Sequence, residues 1–203
     1  MTLQDLLTQM WKDYLALNPS IEKIYEAFVQ KGEVVINDHI ALRTLQHENL
    51  GIESLARTFK ELGYEARKRY EFQEKKLLAW HFEHQTDLTS PKIFISELEV
   101  HKLTPASQDI LNRLASQVNE EQKSVPYFSY MGRPWDLSFE TYQHLAKESE
   151  YAAWVAAYGF RPNHFTVSVN QLQQFTTLDE VNEFVRSLGF ALNSSGGEIK
   201  GSQ

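Results

Sequence analysis

The sequence of 203 residues contains no cysteine, and this absence narrows the chemistry available to the chain. Disulfide bonds, thiolate nucleophiles, iron–sulfur clusters and cysteine-ligated zinc all require thiol side chains. A metal bound by this chain must therefore be held by histidine nitrogen together with carboxylate or water oxygen.

Long apolar runs and concentrated positive charge are also missing. The formal net charge is −7, and acidic and basic residues are interspersed. Nucleic acids and anionic membranes attract concentrated basic surfaces, so we expect neither as a partner. The N-terminus has no basic region followed by an apolar stretch, and no segment reaches the length of a membrane span. We therefore expect a soluble cytoplasmic protein, whose oligomeric state the sequence does not indicate.

The composition that is present is typical of a globular protein. Hydrophobic residues make up 42% of the chain and charged residues 23%, which argues against wholesale disorder. The periodicity of apolar residues predicts an α+β structure. Helices are expected at 2–18, 20–31, 52–62, 106–120, 138–157 and 178–188. Strands are expected at 33–45, 64–70, 76–83, 92–100 and 161–170.

An internal repeat is the most informative pattern. Residues 38–42 (DHIAL) resemble residues 163–167 (NHFTV), because both run polar, histidine, apolar, small, apolar. Each segment precedes a helix that ends at a glycine, 24 residues after the first histidine (Gly63) and 25 residues after the second (Gly189). Two units in the same register, about 125 residues apart, predict two related strand–helix–strand modules.

The repeat also predicts the domain organisation. We expect a single domain over residues 1–203, with N-terminal helices at 1–32, a first module at 33–100, a helical insertion at 101–160 and a second module at 161–203. The two modules would form a partly open barrel around one site. By comparison with the first module, a complete second module would continue to roughly residue 225–230. We therefore expect the chain to be truncated before the last strands of that module.

The two repeated histidines predict a metal site between the modules. Side chains alternate along a strand, so His39 shares a face with Ala41, and His164 shares a face with Thr166. Small neighbours leave room for a cavity, and pseudo-twofold symmetry would bring the equivalent positions together. Two imidazoles meeting there would provide half of a metal site. The alternative is that each histidine is structural and hydrogen-bonds to the backbone.

The five other histidines lack this support. His81 either lines the same cavity or lies on a surface strand. The remaining four are expected to be solvated, namely His47, His84, His101 and His144.

A third metal ligand is expected to be a carboxylate, given the absence of cysteine. Glu97 and Glu99 lie on the last strand of the first module, and they share a face with isoleucines. That position predicts partial burial but does not indicate metal binding. The equivalent strand of the second module would fall near residues 223–225. Two histidines and one carboxylate form the facial triad of non-haem Fe(II) oxygenases, but the same set binds zinc and activates water.

Arg43 is the candidate substrate-binding residue. It lies on the cavity side of the first strand, and its Cα is expected about 13 Å from that of His39. A guanidinium there could bind a carboxylate through a bidentate pair of hydrogen bonds while the other end of the same ligand touches the metal. The alternative is a salt bridge at the surface or rim.

Four segments of the sequence resemble one known family. They are residues 35–44 (VINDHIALRT), 94–99 (FISELE), 161–166 (RPNHFT) and 196–201 (GGEIKG). Together they resemble the 2-oxoadipate dioxygenase/decarboxylase family, whose fold is related to the glyoxalase and vicinal-oxygen-chelate enzymes. The resemblance covers most of the chain, from about residue 5 to 201.

The resemblance implies a function and a set of site residues. It implies an Fe(II) enzyme that uses O₂ to decarboxylate and hydroxylate 2-oxoadipate, giving 2-hydroxyglutarate and CO₂ in lysine degradation. By the same resemblance His39 and His164 would be two of three iron ligands, and Arg43 a contact for a substrate carboxylate. The third ligand would be a glutamate beyond Gln203, which puts the activity of the present chain in question.

Two other functions stay open at this point. One is a divalent-metal hydrolase or lyase of the vicinal-oxygen-chelate type, which would use zinc or another ion. The other is a non-catalytic module that binds a small ligand without metal. Iron-dependent O₂ uptake with a 2-oxo acid would distinguish the dioxygenase/decarboxylase from both of these alternatives.

Overall fold

The computed structural model describes residues 1–194 and confirms the expected α+β composition. The α-helices are Leu3–Leu17 (α1), Pro19–Gln30 (α2), Ile52–Glu61 (α3), Pro105–Ala115 (α4), Glu120–Ser124 (α5), Phe139–Glu148 (α6), Glu150–Tyr158 (α7) and Leu178–Ser187 (α8). The strands are Asn37–Leu45 (β1), Tyr64–Phe72 (β2), Leu77–His84 (β3), Lys92–Leu98 (β4) and Pro162–Val167 (β5).

Several element boundaries differ from the predicted ones, and two of these differences have a clear local reason. The helical segment expected at 138–157 is divided at Ser149, whose backbone is extended (φ −148°, ψ 110°). The Ser149 hydroxyl accepts a hydrogen bond from the backbone N–H of Ala152 and so caps α7. The first strand begins at Asn37, not at residue 33. Glu33 instead accepts backbone hydrogen bonds from Gln173 and Gln174.

The five strands form one sheet in the order β2-β3-β4-β1-β5. Strands β1 and β4 are parallel, while β3 is antiparallel to both β2 and β4. The first module therefore has one more pair of strands than a simple strand–helix–strand unit, because β3 and β4 follow β2. In the parallel register Ala41 lies opposite Phe94, and Arg43 lies opposite Ser96.

One face of this sheet packs into the main hydrophobic core. Ile40, Leu42 and Ile95 are at most 1% exposed and belong to the same buried cluster as Leu55 and Phe59 of α3. Burying an aliphatic or aromatic side chain of this size stabilises the fold by about 2 kcal/mol. Because strand side chains alternate, the intervening residues of β1 point to the opposite face, as its burial pattern shows.

The chain divides into two compact units. The first contains residues 1–14 and 39–165. The second contains, within the described residues, 15–38 and 166–194. Its own small core is formed by Phe28, Leu172 and Phe175, which are at most 8% exposed. Every residue of the candidate site described below belongs to the first unit.

The structure bears on two remaining expectations, the fourth family-like segment and the absence of a membrane span. Residues 196–201, one of the four family-like segments, lie outside the described residues, as does the end of the second module. Among the helices of residues 1–194, none is long and apolar enough to span a membrane.

Candidate metal and carboxylate site

His39 and His164 lie close together on neighbouring strands of the sheet. Their ring centroids are 5.5 Å apart and their planes are inclined by 77°. His39 is on β1 and His164 is on β5, the strand next to it. The repeat therefore predicted the spatial meeting of the two imidazoles correctly. Their role as metal ligands stays a prediction.

The surroundings of His164 favour a neutral imidazole. Burial lowers the pKa of His164 to about 4, with smaller contributions from the nearby His39 and the Arg43 guanidinium. The Nδ1 atom lies 3.0 Å from the side-chain oxygen of Asn163. An amide oxygen only accepts hydrogen bonds, so Nδ1 carries the proton and Nε2 keeps its lone pair. A neutral histidine with one nitrogen engaged in this way has the form that a metal requires.

Helix α1 contacts residues on either side of His164 in the sequence. Arg161, just before β5, forms an ion pair with Asp13 of α1. The Phe165 ring lies 5.0 Å from that of Trp11 and 5.1 Å from that of Tyr14. Edge-on and tilted aromatic contacts of this kind add to the stabilisation that burial gives. Residues on both sides of His164 are thereby held in place.

His81 lies on the same face of the sheet as His39 but is separated from it by Phe94. The Phe94 ring is 5.0 Å from the His39 ring and 5.2 Å from the His81 ring. The His81 side chain is 12% exposed, and its Nδ1 lies 3.0 Å from the Tyr70 hydroxyl. His81 is therefore mostly buried, but it is not among the residues that line the cavity next to His164.

His47 and His84 are partly buried and lie in or beside turns, so the prediction that they are solvated is wrong for these two. His47 Nδ1 accepts the backbone N–H of Asn49, and His84 Nδ1 accepts that of Asp87. His101 and His144 are exposed, as expected for solvated side chains.

Arg43 projects towards a cavity of about 420 Å³. The cavity is also lined by His164, Asn163, Ser96 and Tyr151. Only 21% of the Arg43 side chain is exposed, and among the described residues its Nη1 has no hydrogen-bond partner.

The predicted alternative for Arg43, a salt bridge at the rim, is present but weak. Glu150 Oε1 lies 3.7 Å from Nη1, beyond hydrogen-bond distance, and the Glu150 side chain is 88% exposed. Exposed ion pairs of this kind contribute little to stability. The guanidinium therefore retains the capacity to bind a ligand carboxylate.

Two aromatic residues that the sequence reasoning missed enclose Arg43. Its Cζ atom lies 4.8 Å from the Tyr151 ring centroid and 5.1 Å from the Trp154 ring centroid. Both residues belong to α7 in the helical insertion. Their spacing of three residues places them on one side of a helix, but nothing in the sequence indicates that this side faces Arg43.

Glu97 is partly buried and Glu99 is buried, and both have structural partners. The Glu97 carboxylate accepts hydrogen bonds from the backbone N–H of Ile52 at 3.0 Å and from Gln46 Nε2 at 3.1 Å. It thus satisfies a free N–H group at the start of α3. Glu99 forms an ion pair with Lys102 at 2.6 Å.

The donor set fits part of a metal site. Within residues 1–194, no group of three or more histidine, aspartate or glutamate side chains is arranged to hold a metal ion. His39 and His164 can supply two imidazole nitrogens, which suit iron and zinc alike. If the two histidines hold a metal, residues 1–194 supply no third protein ligand for it.

Comparisons with known proteins place this site in a family context. A family model described as 2-oxoadipate dioxygenase/decarboxylase matches residues 1–203. A protein from Oryza sativa subsp. japonica, named 2-oxoadipate dioxygenase/decarboxylase, chloroplastic/amyloplastic, is 36% identical over 208 residues. That match covers 96% of this chain and 57% of the rice protein, so the chain spans little more than half the length of this relative.

Two solved structures are similar to this chain over almost its whole length. A protein from Shewanella frigidimarina NCIMB 400, provisionally named a hydrolase, is 46% identical with a TM-score of 0.93, over 98% of this chain and 78% of that one. Hydroxyglutarate synthase from Oryza sativa, solved in complex with 2-oxoadipate, is 34% identical with a TM-score of 0.88. That match covers 97% of this chain and 67% of the synthase.

A more distant structure identifies the fold. A glyoxalase-superfamily protein from Ralstonia eutropha JMP134 is 18% identical with a TM-score of 0.73, over 91% of this chain and 65% of that one. At this identity the likeness concerns the fold alone, and it confirms the expected glyoxalase-like, vicinal-oxygen-chelate architecture. Since the family model covers the whole sequence, the chain belongs to the 2-oxoadipate dioxygenase/decarboxylase family.

Proposed function

We propose that this protein is an Fe(II)-dependent dioxygenase/decarboxylase that acts on a small 2-oxo acid such as 2-oxoadipate. The products would be 2-hydroxyglutarate and CO₂, and O₂ supplies both added oxygen atoms, so that no separate reductant is needed. The observation that carries this proposal is the 5.5 Å separation of the His39 and His164 rings beside the cavity that Arg43 lines.

His39 and His164 would hold the metal through two imidazole nitrogens, with a carboxylate expected as the third ligand outside the described residues. Iron bound in such a triad supplies open positions for a chelating 2-oxo acid and for O₂. The neutral state of His164 supports this role, because its lone pair does not have to be freed from a proton at neutral pH.

Arg43 would bind the carboxylate at the far end of the acid. Its enclosed Nη1 lacks a hydrogen-bond partner among the described residues, and a carboxylate is the group that complements a guanidinium best. The cavity volume of about 420 Å³ lies within the usual range for small-molecule sites. A dicarboxylate with a 2-oxo group at one end could therefore engage both the metal and Arg43.

The experiment that tests the proposal measures O₂ uptake and 2-hydroxyglutarate formation by the purified chain supplied with Fe(II) and 2-oxoadipate. We expect equal amounts of O₂ consumed and product formed, and neither without iron. Formation of 2-hydroxyglutarate no greater than with Fe(II) and 2-oxoadipate in the absence of protein would contradict the proposal.

A divalent-metal hydrolase or lyase is the second candidate function. Two imidazoles also suit zinc, and the relative from Shewanella frigidimarina is provisionally named a hydrolase. Turnover that proceeds with Zn(II) in the absence of O₂ would favour this candidate. A non-catalytic binding module would show ligand affinity and no turnover with either metal.

The cytoplasmic location and the absence of nucleic-acid and membrane partners stay predictions from the sequence. The name of the rice relative contains a chloroplastic and amyloplastic location, which is a statement about that protein.

A further inference from the structure

The Arg43 guanidinium lies against two aromatic rings. The Tyr151 and Trp154 centroids lie 4.8 Å and 5.1 Å from its Cζ atom. A planar guanidinium stacks on aromatic faces by a cation–π interaction, and the stacking restricts its rotation. The N–H groups at the edge of the guanidinium then keep a fixed orientation.

The Tyr151 hydroxyl ties this aromatic pair to the strand that carries Arg43. The hydroxyl accepts the backbone N–H of Thr44 at 3.3 Å and donates to the backbone oxygen of Ser96 at 2.7 Å. Ser96 Oγ lies 2.8 Å from the same hydroxyl, and Ser96 is the residue paired with Arg43 in the sheet. Burial raises the pKa of Tyr151, so that the hydroxyl remains a neutral donor.

The buried Nη1 atom is the part of Arg43 that these contacts do not satisfy. Nη1 is enclosed and has no hydrogen-bond partner within residues 1–194. An enclosed donor without a partner is unfavourable, and a ligand that supplies an acceptor removes this penalty. The nearby Glu150 carboxylate, at 3.7 Å, shows which kind of charge the guanidinium edge attracts.

We propose that Tyr151 and Trp154 are positioning residues that fix the Arg43 guanidinium for the distal carboxylate of a 2-oxo dicarboxylate. This inference rests on the proposed function, since it assigns Arg43 to that carboxylate. It makes helix α7 of the helical insertion a determinant of selectivity for dicarboxylates over monocarboxylates.

The test compares Trp154→Leu and Trp154→Phe with the original chain, using 2-oxoadipate and 2-oxohexanoate, which lacks the distal carboxylate. With Fe(II) supplied, we expect Trp154→Leu to raise KM for 2-oxoadipate about tenfold with kcat within about twofold, since a cation–π contact has about that strength. The constants for 2-oxohexanoate should not change, and Trp154→Phe should retain most of the selectivity. Tyr142→Phe, on the neighbouring α6, is the matched aromatic control and should behave as the original chain.

A second measurement does not depend on activity. Stacked rings shift the NMR signals of the Arg43 side-chain protons upfield, and we expect Trp154→Leu to move these signals towards their values in an unstructured chain. Unchanged Arg43 signals in this variant, or an equal loss of affinity for both acids, would overturn the proposal.

The kinetic and NMR measurements together distinguish failure of this inference from failure of the proposed function. If the original chain turns over neither acid, the proposed function fails, and the NMR arm alone decides whether the rings position Arg43. If turnover is normal but selectivity survives in Trp154→Leu, the proposed function stands and the positioning role is refuted.

Discussion

Asn163 and His164 are consecutive in the chain, and the Asn163 side-chain oxygen lies 3.0 Å from His164 Nδ1. This contact orients the imidazole and fixes which of its nitrogens carries the proton. Residues that hold a metal-binding histidine in this way usually affect metal affinity almost as much as the ligands themselves.

Replacement of Asn163 should therefore weaken metal binding without unfolding the protein. We expect Asn163→Ala to lower Fe(II) affinity about 10- to 100-fold, the usual effect of removing such a partner. Anaerobic titration of the metal-free chain measures the affinity. Asn112→Ala, an exposed position on α4, is the matched control. Equal affinity in the two variants would show that Asn163 does not orient a ligand.

His164 should remain neutral well below the pH at which an ordinary histidine becomes protonated. Its pKa is lowered to about 4 from an ordinary value of 6.5, mainly by burial. The unfolded chain then binds more protons between these values, so His164 makes the metal-free protein less stable as the pH falls from about 6.5 to 4. An NMR titration of the imidazole should show no midpoint above pH 5. A midpoint near 6.5 would contradict the burial of this ring.

Arg43 should act on substrate affinity more than on turnover. A charge-assisted hydrogen bond contributes about 1.5–3 kcal/mol, so we expect Arg43→Ala to raise KM for 2-oxoadipate about 10- to 100-fold. Arg43→Lys keeps the charge but loses the planar pair of donors, and should recover only part of the loss. Steady-state kinetics measure both variants, with the exposed Arg113→Ala as control. A loss confined to kcat would argue against a carboxylate contact.

Glu97 should be structural and not a metal ligand. Its carboxylate accepts the backbone N–H of Ile52 at the start of α3. We expect Glu97→Ala to lower the free energy of unfolding by about 1–2 kcal/mol, the usual effect of losing such a contact. Denaturant unfolding measures this change. Fe(II) affinity should stay unchanged in the folded variant, and a large loss would reassign Glu97 to the metal site.

Local sequence patterns were sufficient to predict the buried face of β1 and the meeting of the two histidines. Alternation placed Ile40 and Leu42 on the buried face, and the repeat of a histidine at the same step of a second strand predicted that His39 and His164 would meet. Both inferences depend on short-range periodicity and on symmetry, which a single sequence displays.

The enclosure of Arg43 could not be predicted in the same way. The Tyr151 hydroxyl binds the backbone of Thr44 across a separation of 107 residues. The tyrosine lies in a helix whose start is set by the Ser149 cap, within a segment that the periodicity treated as continuous. Which side of that helix faces Arg43 is decided by tertiary packing, for which the sequence carries no periodic signal.

His39 and His164 are proposed to hold a metal together, and direct measurement of Fe(II) binding tests this role. We expect the chain to bind one Fe(II), His39→Ala and His164→Ala each to abolish stoichiometric binding, and the exposed His144→Ala to retain it. Equal Fe(II) binding by all four proteins would show that the two histidines are structural and would contradict a metal site between them.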